Sequence, residues 1–166
     1  MIRGLYVHNF RCLENFELPI AGLNSVLPIG DNGSGKSTVR QAIRILQRIA
    51  RGENRIDNLL KPKDFAFGRK EVPITSEIDP ELGQKVYQYI VAFELSSGNK
   101  ELSVTQEKLT CEGLPTYARD RALLSVSKRN GGLQSAAPAF LIDWHLVALR
   151  LVQEKSNTDP LFVFRQ

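Results

Sequence analysis

Gly30-Asp31-Asn32-Gly33-Ser34-Gly35-Lys36-Ser37-Thr38 is the stretch of this 166-residue chain whose residue types and spacing could do chemistry. It fits G-x-x-x-x-G-K-[ST], with Gly30 as the first glycine and Ser37 at the hydroxyl position. Gly30, Gly33 and Gly35 let the backbone come close to a ligand, and successive N–H groups of such a loop form a nest for phosphate oxygens. Lys36 places an ammonium over the outer phosphates. Ser37 offers a hydroxyl to Mg²⁺, which keeps most of its waters and takes phosphate oxygens as further ligands. A helix starting here points its positive end at the same anion.

The elements around the loop suit that task. Leu23-Asn24-Ser25-Val26-Leu27 reads as a strand feeding it. Val39, Ala42, Ile43, Leu46, Ile49 and Ala50 recur at helical spacing, which predicts a helix over 36–51 with Gly52 as its cap. Arg40, Arg44, Arg48, Arg51 and Arg55 share the opposite face of that helix. They form either a solvated face or a basic ridge for DNA phosphates or an acidic partner. Upstream, residues 2–9 alternate as a strand and residues 16–18 as a shorter one. Downstream, residues 55–69 read as a loop with a short helix.

From Val72 the pattern turns to period two. Residues 86–95 form the strongest strand of the chain, residues 96–99 a turn, and residues 101–109 a further strand. This antiparallel meander argues against a small P-loop kinase, in which a parallel strand follows the first helix. Residues 119–134 read as a polar mobile loop. Leu141, Trp144, Ala148, Leu151 and Val152 predict a helix over 136–156 with Trp144 in the core, ended by Asn157-Thr158-Asp159-Pro160. The apolar ending of the chain suggests the N-terminal piece of something longer.

Composition bounds the rest. Hydrophobic content of 42% and charged content of 24% are those of a soluble globular protein. No apolar run reaches the roughly 18 residues of a membrane span, and the N-terminus lacks the apolar stretch of a signal peptide. Two cysteines, Cys12 and Cys111, are too few for a disulfide framework or a zinc site. They read as small hydrophobes in a reducing cytoplasm. The net charge of +4 permits a nucleic-acid partner without demanding one. His8 and His145 have no metal partners at ligand spacing and read as structural.

Ile2-Arg3-Gly4-Leu5-Tyr6-Val7-His8-Asn9-Phe10-Arg11-Cys12-Leu13, then Leu23-Asn24, then the glycine loop, resembles the N-terminus of ABC-type ATPases of the SMC/RecF/OLD kind. The strong resemblance covers about the first 50 residues. The meander, with Glu107-Lys108-Leu109, resembles the β-lobe of such heads more loosely. The resemblance implies an α/β P-loop NTPase fold of ABC-ATPase type. Its mixed sheet would carry an antiparallel meander packed around the P-loop helix. Residues 1–166 would then be the N-terminal lobe of a head, with a P-loop unit at 1–55, a β-lobe at 70–115, and the rest of the head absent.

The same resemblance implies ATP and Mg²⁺ as cofactors, bound by Gly30, Asp31, Asn32, Gly33, Ser34, Gly35, Lys36, Ser37 and Thr38, with Ser37 on the metal. Arg11 and Arg55 would approach the nucleotide. It further implies a homodimer formed through two heads, a cytoplasmic location, and an ATPase linked to DNA repair, chromosome organisation or phage defence. A nuclease domain or partner occurs in the OLD branch. The departures are specific. Pro28 replaces the more usual Val or Gly. No L-S-G-G-[QE] signature is present. Ala139-Phe140-Leu141-Ile142-Asp143 mimics the start of a Walker B strand, but Trp144 stands where the water-positioning Glu belongs. Gln84, Gln88 and Gln106 are open choices for a Q-loop glutamine. The chain alone is therefore expected to bind nucleotide weakly and hydrolyse little. The rival reading is a nucleotide-switched module that docks DNA or a protein partner without appreciable hydrolysis.

Overall fold

The period-two segments pair into one curved sheet. The computed structural model describes residues 1–96, 101–130, 133–135, 139–152 and 164, with 128–130 and 133–135 by backbone alone. Strands β1 (Ile2–His8), β2 (Phe16–Pro19), β3 (Ile74–Leu82), β4 (Lys85–Leu95), β5 (Leu102–Cys111), β6 (Leu114–Asp120), β7 (Leu123–Val126) and β10 (Ala139–Leu141) lie in the order β10-β7-β6-β5-β4-β3-β1-β2. A separate pair is formed by β8 (Lys128–Asn130) and β9 (Leu133–Ser135). Every pairing among these described strands is antiparallel, so the expected mixed sheet has no parallel member here.

Helix α1 (Lys36–Ala50) matches its apolar spacing and buries Ala42, Leu46 and Ile49. These join Leu5, Val7, Tyr89, Val91, Phe93 and Leu109 of the sheet in one core. Gly52, at φ 109, follows the Arg51 cap, and its N–H bonds the Ile49 carbonyl at 3.0 Å. Short helix α2 (Ile56–Leu59) and two 3-10 turns, Pro62–Asp64 and Ala66–Gly68, fill the loop before β3.

A bulge decides what the centre of the sheet contains. On β5, Leu102 and Val104 face the core. Gln106 then pairs with Ala92 while Val104 pairs with Phe93, so Thr105 is one residue too many. A bulge re-aims the side chains that follow it. Past it the odd positions turn inward, and Glu107 is buried with no exposed surface. Its Oε1 accepts from Tyr117 Oη at 2.7 Å, Tyr89 Oη at 3.0 Å and the Leu149 N–H at 2.9 Å; Oε2 accepts from the Ala148 N–H at 2.6 Å. Buried Arg119 lies 3.9 Å from Oε2 and gives its other donors to the carbonyls of Arg121, Asp143 and Leu146. Burial pushes the Glu107 carboxyl above its ordinary range, against the pull of these donors.

That network replaces two expected elements. Residues 119–134 are not a mobile loop where described: β6, β7, β8 and β9 run through them. Residues 139–152 are not a helix. They form β10, an irregular strap, and a 3-10 turn at Ala148–Arg150, because Glu107 and Arg119 capture backbone groups that a helix would bond internally. Leu141 and Trp144 are exposed, so Trp144 is not a core residue. The expected end of that helix at 157–160, the apolar ending at 161–163 and 165–166, and most of the 96–99 turn lie outside the described residues. Phe164 packs its ring on Tyr87 and Tyr89, with centroids 5.7 and 5.6 Å apart.

The expected strand at 23–27 is also absent. Residues 24–31 are irregular and exposed, and the paired strands include no partner for them. A β-prone sequence forms a strand only where a neighbouring ladder accepts it.

Buried Glu107 and half-buried Glu77 each have a measurable consequence. Glu107→Ala strands a buried arginine and four donors, and costs about 3–5 kcal/mol in urea unfolding at pH 7. On the outer face, burial and the nearby Asp79 raise the Glu77 carboxyl above its ordinary value. The folded state then binds the proton more tightly than the unfolded one. This group's contribution is full at low pH and is lost as pH rises through the folded value. Glu77→Gln, which can still accept from Gln88 Nε2, removes that loss. Its melting temperature exceeds that of the parent at pH 7, and the gap closes near about pH 4.

Candidate functional site

Gly35 starts α1 in the left-handed region, at φ 92 and ψ 0. It is buried, and a Cβ there would stand 3.3 Å from Cys12 Sγ and 3.4 Å from Leu13 Cδ2. Glycine is therefore required twice, by conformation and by the close approach of the β1–β2 turn. A Cβ on Gly30 would meet Ser34 Oγ at 2.9 Å. The amides of Thr38 and Val39 both donate to the Gly35 carbonyl, at 2.9 and 3.0 Å. The helical ladder thus opens at Gly35, and the N–H groups of Lys36 and Ser37 precede it. The first turn of α1 carries no acidic residue to neutralise that positive end.

Lys36 folds back across this loop. Its Nζ donates to the Gly30 carbonyl at 2.5 Å, the Asp31 carbonyl at 2.6 Å and Ser34 Oγ at 3.2 Å. The ammonium is therefore held over the middle of the loop by main-chain oxygens. Ser37 is exposed, and Thr38 Oγ1 accepts from Cys12 Sγ at 3.4 Å. Among the described residues, no cluster of three His, Cys, Asp or Glu side chains could hold a metal. Ser37 exposes a hydroxyl at the start of α1, a ligand type that suits Mg²⁺ carried on phosphate oxygens and water.

Arg11 is one residue from Cys12, which touches the loop, but its guanidinium turns the other way. Nε and Nη2 meet Asp64 Oδ1 at 2.9 and 2.8 Å, and the Arg11 N–H bonds the Asp64 carbonyl at 2.7 Å. Buried Asp64 also accepts from the Lys61 N–H at 2.8 Å. Arg55 is not brought to the loop. It follows the far end of α1, about 22 Å of helix from Gly35, where it is exposed and lies 3.7 Å from Asp57. Asp143, the Walker B look-alike, follows an edge strand and accepts from the His145 N–H at 2.8 Å. Gln84 lies in the β3–β4 turn, Gln88 bonds Glu77, and Gln106 is exposed on β5.

Three residues at this site carry no signal in the sequence pattern: Cys12 against the loop, Asp64 holding Arg11, and exposed Phe67. Asp64-Phe65 after Pro62 reads as an ordinary turn. Only the fold shows that it returns to the end of β1, where the Ala66 N–H bonds the Asn9 carbonyl at 3.0 Å.

Among the described residues, no helix is long and apolar enough to cross a membrane. Comparison with known proteins gives two matches. The family model described as "AAA ATPase domain" matches residues 1–125. The OLD nuclease of Thermus scotoductus is 34% identical over 98 residues, which cover 58% of this chain and 18% of that protein. The chain thus spans under a fifth of that relative's length. The family match contains the glycine loop, α1, the Arg11–Asp64 pair and the sheet through β6, and the relative bears out the OLD-like resemblance of the N-terminal residues. The chain belongs to the AAA ATPase domain family.

Proposed function

We propose that residues 30–38 bind the triphosphate of ATP with Mg²⁺ at Ser37, as the phosphate-holding part of an ATPase head. The observation that carries this reading is the tethering of Lys36. Two loop carbonyls keep its ammonium in place, and the longest of its three contacts, to Ser34 Oγ at 3.2 Å, is the one a phosphate oxygen would replace. The amides at the start of α1, unopposed by a first-turn carboxylate, supply the remaining donors. Mg²⁺, when bound, would neutralise charge developing on the phosphates. Gly30, Asp31, Asn32, Gly33, Ser34, Gly35 and Thr38 shape the cradle. The Arg11–Asp64 pair holds the β1–β2 turn beside it.

In this reading residues 1–166 are the N-terminal lobe of a longer head. Hydrolysis needs a water-positioning carboxylate and a signature loop from further segments and from a partner head in a homodimer. The process driven is DNA-linked, and the nuclease named in the Thermus relative makes a nuclease domain or partner the natural companion. A cytoplasmic location follows from the same family reading.

Thermal unfolding with Mg²⁺-ATP, with Mg²⁺-GTP and without nucleotide tests the loop. Ligand at a hundredfold excess over Kd stabilises by about 2.7 kcal/mol. The melting temperature is expected to rise with ATP in the parent and not in Lys36→Ala. An unchanged parent would sink the proposal.

A second reading, a nucleotide-switched module that docks DNA, is favoured by Arg40, Arg44 and Arg51. All three are exposed, Arg40 and Arg44 on α1 and Arg51 at its C-terminal cap, and form no ion pair among the described residues. Arg48 is instead engaged with the Asn58 carbonyl and Glu53. If the three free arginines meet phosphates, duplex-DNA affinity falls steeply with salt. The log–log slope then flattens by about 0.9 for each one changed to Ala. A slope that these substitutions leave intact removes the ridge from the account.

A further inference from the structure

Two residues of the turn that follows β1, Asn9 and Arg11, have left-handed backbones, at φ 56 and 55. Asparagine takes this conformation readily, whereas arginine holds it only where its surroundings fix it. Those surroundings are the segment 61–72. Buried Asn9 gives Nδ2 to the carbonyls of Arg69 and Val72, at 2.9 and 2.5 Å, and its own carbonyl accepts from the Ala66 N–H at 3.0 Å. Phe10 forms an isolated bridge with Phe65, and both are buried. Arg11 makes three bonds to one residue, Asp64: one from its N–H at 2.7 Å and two from its guanidinium at 2.9 and 2.8 Å. The second Asp64 oxygen accepts from the Lys61 N–H at 2.8 Å.

The same turn meets the glycine loop through its next two residues. Cys12 Sγ donates to Thr38 Oγ1 at 3.4 Å. Cys12 and Leu13 are also the side chains that a Cβ on Gly35 would touch, at 3.3 and 3.4 Å. The turn is closed on itself. The Leu13 N–H bonds the Phe10 carbonyl at 2.8 Å, and the Phe10 N–H bonds the Leu13 carbonyl at 3.1 Å. A shift at Arg11 therefore carries Cys12 and Leu13 with it. Close-packed groups transmit such a displacement instead of absorbing it. The residue that receives it is Gly35, where the helical ladder of α1 opens.

We infer that Arg11 and Asp64 form one positioning unit for the glycine loop. The pair fixes the 9–13 turn, and the turn sets the place of Gly35 and of the first amides of α1. Affinity for the phosphates then depends on both residues, through Cys12 and Leu13 and without a contact of either to the ligand. The inference rests on the phosphate reading of residues 30–38 and deepens it. It gives Arg11 a role other than the direct approach to nucleotide that the family resemblance implies. Both roles make Arg11→Ala a weak binder, and they part at Asp64. A direct contact needs a free guanidinium, which loss of the Asp64 charge would supply. A positioning unit fails with either member.

Titration calorimetry on the full chain tests this with two probes, Mg²⁺-ATP and Mg²⁺-tripolyphosphate. The variants are Arg11→Ala, Asp64→Asn and the two together. The double variant leaves no charge buried without a partner, so it is the one that keeps the fold. Members of one network couple by roughly 2- to 150-fold in an equilibrium constant. Each single variant is expected to weaken both probes by a factor in that range, and the double variant to be no weaker than the singles. Alkylation of Cys12 is the readout that a loss of stability alone would not move. Cys12 is exposed and Cys111 buried, so the fast thiol is Cys12. At a temperature where all chains are folded, it is expected to react faster in every variant than in the parent. Parental affinity in Asp64→Asn or in the double variant overturns the inference, as do losses that add or an unchanged thiol rate. A parent chain that binds neither probe overturns the phosphate reading, and the positioning role with it.

Discussion

A carboxylate with no exposed surface, Glu107, holds the two halves of the described structure together. It bonds two tyrosines from neighbouring strands and two backbone amides from the Ala148–Arg150 turn, and faces a buried arginine. Isolated burial of such a charge would cost more than the fold could bear. The arrangement is stable because four hydrogen-bond donors and a facing guanidinium replace the water that the carboxylate has lost. It is also specific, because only one register of β4, β5 and β6 brings Tyr89, Glu107 and Tyr117 to the same face. The bulge at Thr105 sets that register.

The consequence reaches the helix. The strap held by Glu107 and Arg119 also bonds the segment after α1: the Val147 N–H meets the Asn54 carbonyl at 2.8 Å, and the Ile56 N–H meets the His145 carbonyl at 3.1 Å. The C-terminal end of α1 is thereby tied to the sheet centre. Its N-terminal end is tied by Gly35 against Cys12 and Leu13. Both ends of α1 are thereby held against the rest of the fold, the end next to the glycine loop by the β1–β2 turn.

What the sequence reveals and what it hides divide along physical lines. The glycine loop, α1 and the strands β1 to β5 are legible because their signals are local: glycine at fixed offsets, apolar residues at helical spacing, period-two alternation. The strands after Cys111 are not, because the inward positions of β6 include the charged Arg119 and those of the short β7 offer a single buried residue, Leu124. Arg119 faces the core, and its reason is Glu107, twelve residues back on the neighbouring strand and turned inward by the bulge at Thr105, which shifts the alternation by one. Residues 139–152 show helical spacing by coincidence, since Leu141, Trp144 and Leu151 are exposed and backbone capture decides their form. Residues 23–27 fail for the opposite reason. Their β-propensity is real, but a strand is a property of a pair.

The candidate site shows the same division in its chemistry. The proposed phosphate recognition draws on consecutive residues, because main-chain amides and one lysine can supply it from a single loop. Recognition of the rest of a nucleotide cannot be local, since it needs a surface placed beside the phosphates by another part of the chain. The 61–69 turn, more than twenty residues beyond the loop, is drawn back to the β1–β2 turn by Asn9 and by the Arg11–Asp64 pair. Arg11 therefore acts less as a free cation than as a strut. Its charge is spent on Asp64, and what it contributes is the hold of the 61–69 turn on the end of β1. A motif search finds the cradle and passes over the strut, because the strut has meaning only once the chain has folded.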